Sequence, residues 1–83
     1  MQDPLEDRLR EIIAGIAGLD PGRIDRRQPL LRGGLEMDSL TVASLVAAID
    51  AEFRVDILED DLTLASLESL AALAEFIGER VRH

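Results

Sequence analysis

The chain has no cysteine, so it carries neither a disulfide framework nor a thiolate nucleophile of its own. Lysine is also absent, which excludes a Schiff-base amine and a lysine general base. The only histidine is the terminal residue, His83, so the usual base for an activated hydroxyl is missing, as is a histidine-rich metal site. Aromatic residues are reduced to Phe53 and Phe76, and the apolar content is Leu, Ile, Val and Ala, which suits helices better than sheets. No apolar run approaches the roughly 20 residues of a membrane span. The Met1-Gln2-Asp3-Pro4 start shows no basic stretch followed by an apolar core, which makes the cytosol the expected location.

What is present is acidic. Nine Arg stand against 17 Asp and Glu in 83 residues, for a net charge of −8. Residues 1–32 hold six Arg and six acids, whereas residues 33–83 hold three Arg and eleven acids. Such a field repels nucleic-acid phosphates and attracts basic protein surfaces. The length suits one domain, 1–83, near the lower limit for folding without a covalent staple or metal. Met1 and the short ends suggest a discrete protein. A monomer is expected, with no nucleic-acid partner on account of the acidic charge and no membrane partner for want of an apolar span.

Helical periodicity runs through most of the chain. Asp3, Pro4 and Glu6 form a capping-box-like start, and Leu5, Leu9, Ile12, Ile13 and Ile16 fall on one face, with Arg8, Arg10 and Glu11 outward. Gly18 and Asp20-Pro21-Gly22 end this helix. The connection over 19–37 is long for a compact domain, and Ile24, Leu30, Leu31 and Leu35 are its expected pins in a crossover. A second helix is predicted from Ser39 to Phe53, with Asp38 as N-cap and an inward stripe of Val42, Leu45, Val46, Ile49 and Phe53. Residues 54–58 read as an extended loop plugged by Val55 and Ile57, followed by a short helical turn over 59–62. Ser66 then caps a last helix, Leu67 to Val81. The expected fold is all-α, a small four-helix bundle of three main amphipathic helices and one short one, with a long loop between the first two.

Asp38-Ser39-Leu40 opens the second helix and follows a Gly-rich approach. As the first-turn residue behind an Asp cap, Ser39 can present its hydroxyl outward, at a helix end whose free N–H groups and dipole favour an attached anion. The same pair can equally be a plain capping pair. The surrounding residues form neither a nucleophile elbow nor a Walker loop. Glu59-Asp60-Asp61 lacks the spacing of a calcium loop and reads as a solvated acidic turn.

The order Leu35-x-x-Asp38-Ser39-Leu40, Glu52-Phe53, Val55-x-Ile57, Asp61-Leu62-Thr63, Ser69-Leu70-Ala71-Ala72-Leu73 and Phe76-Ile77 resembles the acyl and peptidyl carrier proteins, over about Leu5 to Val81. The resemblance implies a non-enzymatic carrier. A phosphopantetheinyl transferase, using Mg²⁺ in its own site, would move 4′-phosphopantetheine from coenzyme A to Ser39 with Asp38 assisting. The arm's thiol would hold an acyl or aminoacyl group as a thioester between an acyl- or aminoacyl-loading ligase and a downstream acyltransferase, synthase or condensing enzyme. Leu40, Val42 and Val46, with Ile57 and Leu62 on the facing segment, would be cargo-side candidates, each reading equally as plain core and Val46 more readily so.

Two departures stand out. Glu36 occupies a position where many carriers have Gly, and with Met37 it would flank the attachment site. The outward positions of the second helix are Thr41, Ser44, Ala47 and Ala51, where fatty-acid carriers commonly place acids. Small neutral side chains there point to partners that read shape and apolar contact, hence to a specialised polyketide, peptide or aminoacyl pathway. The alternatives are a fatty-acid-synthesis carrier and a small helical interaction module without a cofactor.

Overall fold

The first helix, α1, runs Pro4–Ala17, with Pro4 where its fixed backbone angle suits a first turn. It stops at Gly18, whose φ of 72° is left-handed, and the Leu19 N–H closes back on the Ala14 carbonyl at 2.9 Å. The computed structural model describes residues 4–31, 34–55, 57 and 65–81. Among these the remaining elements are a 3₁₀ turn at Pro21–Arg23, α2 at Ser39–Phe53 and α3 at Leu70–Val81. The expected all-α architecture is present, and both α2 boundaries coincide with those read from the sequence. The short helix anticipated over 59–62 and the proposed cap Asp3 lie outside the described residues. No helix among the described residues is long and apolar enough to cross a membrane.

The core is aliphatic. Leu9 and Ile13 of α1, Leu45 and Ile49 of α2, and Leu70, Leu73 and Ile77 of α3 are essentially sealed from solvent. Each such side chain contributes about 1.5–3 kcal/mol through burial. The long connection adds Ile24, Leu30 and Met37, and Ile57 and Leu67 close the cluster, with Leu31, Leu35, Val42, Phe53 and Val55 packed half-buried around it. The crossover is thus held by its own apolar residues.

Polar contacts tie the crossover to two helices. Glu6, expected in a capping box, is instead buried and receives Arg26 through Nε at 2.7 Å and through the second guanidinium nitrogen at 3.2 Å. Arg10 approaches the same carboxylate at 3.6 Å and donates to the Ile24 carbonyl at 3.1 Å, so it folds over the crossover rather than turning outward. The reason is geometric: Glu6 is one turn before Arg10, and the crossover delivers Arg26 to the same spot. The Arg26 carbonyl then accepts from the Ala71 N–H at 2.9 Å, satisfying a donor in the first turn of α3. On the outer surface Arg8 bridges Glu11 of α1 and Glu52 near the end of α2.

The start of α3 corrects one expectation. Ser69, not Ser66, caps this helix, its hydroxyl oxygen accepting from the Ala72 N–H at 3.1 Å. Residues 65–68 form a separate turn, closed by the Glu68 N–H on the Ala65 carbonyl at 3.3 Å, with Ser66 and Leu67 buried in it. Burying Leu67 from a turn rather than from a helix places Ser69 at the helix entry. At its far end α2 is terminated by Arg54 in a left-handed conformation, φ 55°, and the Asp50 carboxylate accepts from the Ile57 N–H at 3.2 Å. That bond aims the following segment so that Ile57 enters the core.

Candidate functional site

The approach to α2 is a folded-back loop in which 29–31 bond to 34–37. Leu35 N–H donates to Pro29 O at 3.0 Å, Glu36 N–H to Leu31 O at 2.8 Å, and Met37 N–H to Leu30 O at 3.0 Å. Gly34 permits this closure. A Cβ built there would lie 2.7 Å from the Pro29 carbonyl carbon and closer still to its oxygen, so no other residue fits without moving backbone. Glu36 follows with φ 53°, in the left-handed region that favours glycine. This explains in backbone terms why a Gly suits the position, and this chain holds a glutamate in the same geometry.

Asp38 is the N-cap, as expected, with extended backbone angles of φ −93° and ψ −178°. One carboxylate oxygen accepts from both the Thr41 N–H and the Thr41 hydroxyl, each at 2.8 Å. The Thr41 backbone bond, followed by its hydroxyl bond, holds the Asp38 carboxyl below the usual carboxylate range. Ser39 is thereby relieved of capping and sits exposed as the first residue of α2.

The other candidates separate by environment. Leu40 is 79% exposed, an unusual position for a large aliphatic side chain, and Ser44, Ala47 and Ala51 continue its face at helical spacing, all exposed. Thr41, grouped with them from sequence, is half-buried and committed to the cap. Glu36 is exposed, whereas Met37 is buried in the core. Val42 is half-buried against the core, Val46 and Ile57 are buried, and Leu62 lies outside the described residues.

A cleft of about 870 Å³ opens beside Asp38, between the folded-back loop and the turn at 65–68. Its described lining is Pro29, Leu31, Glu36, Met37, Asp38, Ala65, Leu67 and Glu68. Glu36, Met37 and Asp38 are thus brought together on one cavity, which Leu40, Val42, Val46 and Ile57 do not line. Sequence reasoning missed the contributions of Pro29, Leu31 and the 65–68 turn. Leu31 was legible as apolar loop anchorage, but Glu68 was placed in a helix that in fact starts two residues later.

The arrangement offers an exposed hydroxyl at a capped helix end, an ionised neighbour and an adjacent apolar cleft. Comparison with known proteins places the chain in a family. Residues 7–77 match the family model described as the phosphopantetheine attachment site. The chain is also similar to acyl carrier protein 2 of Pseudomonas aeruginosa, with 32% identity over 79 residues that cover 95% of this chain and 96% of that protein. Members bear a 4′-phosphopantetheine group and are served by phosphopantetheinyl transferases and biosynthetic enzymes. The chain belongs to the acyl and peptidyl carrier protein family, and it is a carrier rather than an enzyme.

Proposed function

We propose that Ser39 is the attachment residue and that this single domain carries acyl or aminoacyl thioesters in a specialised polyketide, peptide or aminoacyl pathway. The observation that carries the first part is the division of labour at the α2 start, where Asp38 caps and leaves Ser39 exposed. The residues fit the group: a phosphodiester on Ser39 would lie at the positive end of α2, where backbone dipoles favour an anion. In the transfer, the Ser39 hydroxyl oxygen forms a bond to the pantetheine-side phosphorus of coenzyme A. The phosphoanhydride bond breaks, 3′,5′-adenosine diphosphate leaves, and the hydroxyl proton passes to a base of the transferase. Asp38, ionised, assists from the adjacent position, and the Thr41 bonds keep it so. Once attached, the arm supplies a thiol for thioester formation, and this chain's task is to anchor it and present it to partners.

The pathway reading is supported by the α2 face formed by Leu40, Ser44, Ala47 and Ala51, which is uncharged and exposed. Asp50 is half-buried and bonded to the Ile57 N–H, while Glu52 is paired with Arg8, so neither is an idle surface acid awaiting a basic enzyme. A partner docking there would gain from shape and apolar contact more than from charge. The test is intact mass after incubation with coenzyme A, Mg²⁺ and a broad-specificity transferase. One added phosphopantetheine is expected on the native chain and none on Ser39→Ala. Modification of the Ala variant would refute the residue assignment. Efficient acylation of the loaded protein by fatty-acid-synthesis enzymes would refute the pathway reading and leave the attachment site standing.

A further inference from the structure

Thr41 makes two bonds to Asp38 where a helix cap needs only one. Its backbone N–H and its hydroxyl both reach the same carboxylate oxygen, Oδ1, at 2.8 Å each. An ionised carboxylate only accepts, so the Thr41 hydroxyl is the donor in the second bond. The lone pairs of a carboxylate oxygen lie in the plane of the group. Two donors on Oδ1 therefore set the plane of the carboxylate as well as its position, and the second oxygen, Oδ2, is held in one orientation beside Ser39. The backbone bond alone would still cap α2, but it would leave an exposed carboxylate free to turn about a single contact.

Resting on the assignment of Ser39 as the attachment residue, we infer that Thr41 is a positioning residue for phosphopantetheine transfer: its hydroxyl holds the Asp38 carboxylate in the orientation from which it assists at Ser39, without itself touching the reacting atoms. Burial agrees with this division. Thr41 is half-buried, whereas Ser39 and Leu40 before it and Ser44 one turn on are exposed, so its hydroxyl is spent inside the chain and not offered to a partner. Its β-branched side chain has few χ1 choices in a helix, and the bond to Asp38 selects among them. A hydrogen bond to an ionised acceptor is roughly twice as strong as one between neutral groups, which suits a contact that must order a surface side chain. The backbone N–H first and the hydroxyl second also hold the Asp38 carboxyl below its ordinary range, so the hydroxyl has a signature that can be read apart from the reaction. Orientation is where such a contact acts on rate, because a small misplacement of an assisting group slows the step it assists.

The test compares the full native chain with Thr41→Val, which keeps the branched shape and the backbone bond but loses the hydroxyl, and with Thr41→Ser, which keeps the hydroxyl. Thr41→Ala is a second hydroxyl-free variant, and amide spectra verify that each is folded. Single-turnover attachment from coenzyme A and Mg²⁺, with a broad-specificity transferase in excess, gives the maximal rate and the half-saturating concentration separately. The Val and Ala variants are expected to lose about two- to tenfold in maximal rate, the factor that one hydrogen bond's net contribution represents. Half-saturation should be unchanged, and the Ser variant should recover the native rate. The measurements are made near pH 7, where Asp38 is ionised in every variant, so a slower step reports orientation rather than charge. In parallel, the Asp38 carboxyl-carbon shift should show the group titrating nearer its ordinary 3.8 in the Val variant than in the native and Ser proteins. An unchanged maximal rate in both hydroxyl-free variants, or a loss confined to half-saturation, would overturn the inference, the latter by making Thr41 a direct contact of the transferase. A slower step with the Asp38 titration unmoved, or a Ser variant as slow as Val, would overturn it equally. Attachment to Ser39→Ala, or none to the native chain, would overturn the assignment of Ser39 itself, and so is distinguishable from those outcomes.

Discussion

Replacing Glu36 by glycine should make this protein more stable, although the change removes a whole side chain. Glu36 is exposed, and its φ of 53° places Cβ against the following carbonyl. For an L-residue that conformation costs roughly 1–2 kcal/mol, whereas glycine adopts it freely. Against this, glycine raises the entropy of the unfolded chain, an effect worth about 0.4–1 kcal/mol. The difference spans about 0–1.6 kcal/mol and centres on a net gain of about 0.8 kcal/mol, or roughly 3–6 °C in melting temperature for a domain of this size. Glu36→Ala separates strain from charge, because alanine removes the carboxylate beside Asp38 but keeps a Cβ in the left-handed region. Thermal and urea melts of the three proteins, in unmodified and holo forms, provide the assay. Only the Gly variant should gain appreciably. If alanine stabilises as much as glycine, repulsion among the carboxylates is the operative term and the backbone argument is wrong.

The fold was largely legible because the apolar pattern is period-consistent. Leu9 and Ile13, and Leu45 and Ile49, lie on the stripes that spacing alone assigned inward, and all four are buried. Asp38 as a cap was legible for the same local reason: the i to i+3 reach from its carboxylate to the Thr41 N–H is fixed by helix geometry. Contacts set by tertiary placement were less accessible. Glu6 has the spacing of a capping box, and nothing local shows that the crossover will bring Arg26 across 20 residues to bury it. Ser66 and Ser69 are both credible caps, and only the burial of Leu67 from a turn decides between them. Met37 was grouped with Glu36 as facing partner or cargo beside the attachment site, but the folded-back loop turns it into the core while leaving Glu36 outside. The cleft could not be read from sequence because its walls, at 29–38 and 65–68, are adjacent only after the crossover is made.

Four further outcomes follow from the same geometry. Gly34→Ala should destabilise by about 1–3 kcal/mol, the usual cost of forcing atoms into filled space, measured by urea unfolding. Because the folded Asp38 carboxyl lies below its ordinary value of 3.8, its stabilising effect is fully present above that pH and is lost as pH falls toward and through the depressed folded value. Urea melts across that acid limb should therefore be shallower for Asp38→Asn, which still caps the helix, than for the native chain. Ser39→Ala should abolish phosphopantetheine attachment while changing stability by no more than about 0.5 kcal/mol, since the hydroxyl is exposed and Asp38 holds the cap. Ala47→Glu should weaken recognition by the cognate loading enzyme with little effect on folding, because position 47 lies exposed on the uncharged face below Leu40. A carboxylate introduced there must be desolvated when a partner closes over it, and a surface that reads shape offers no cation in return. For the native pair, raising salt should slow loading only modestly, since screening acts on exposed charges and this face has none to screen. A steep salt dependence combined with undisturbed loading of Ala47→Glu would show instead that Glu36, Asp38 and the other acids govern docking, and the shape-reading partner would have to be abandoned.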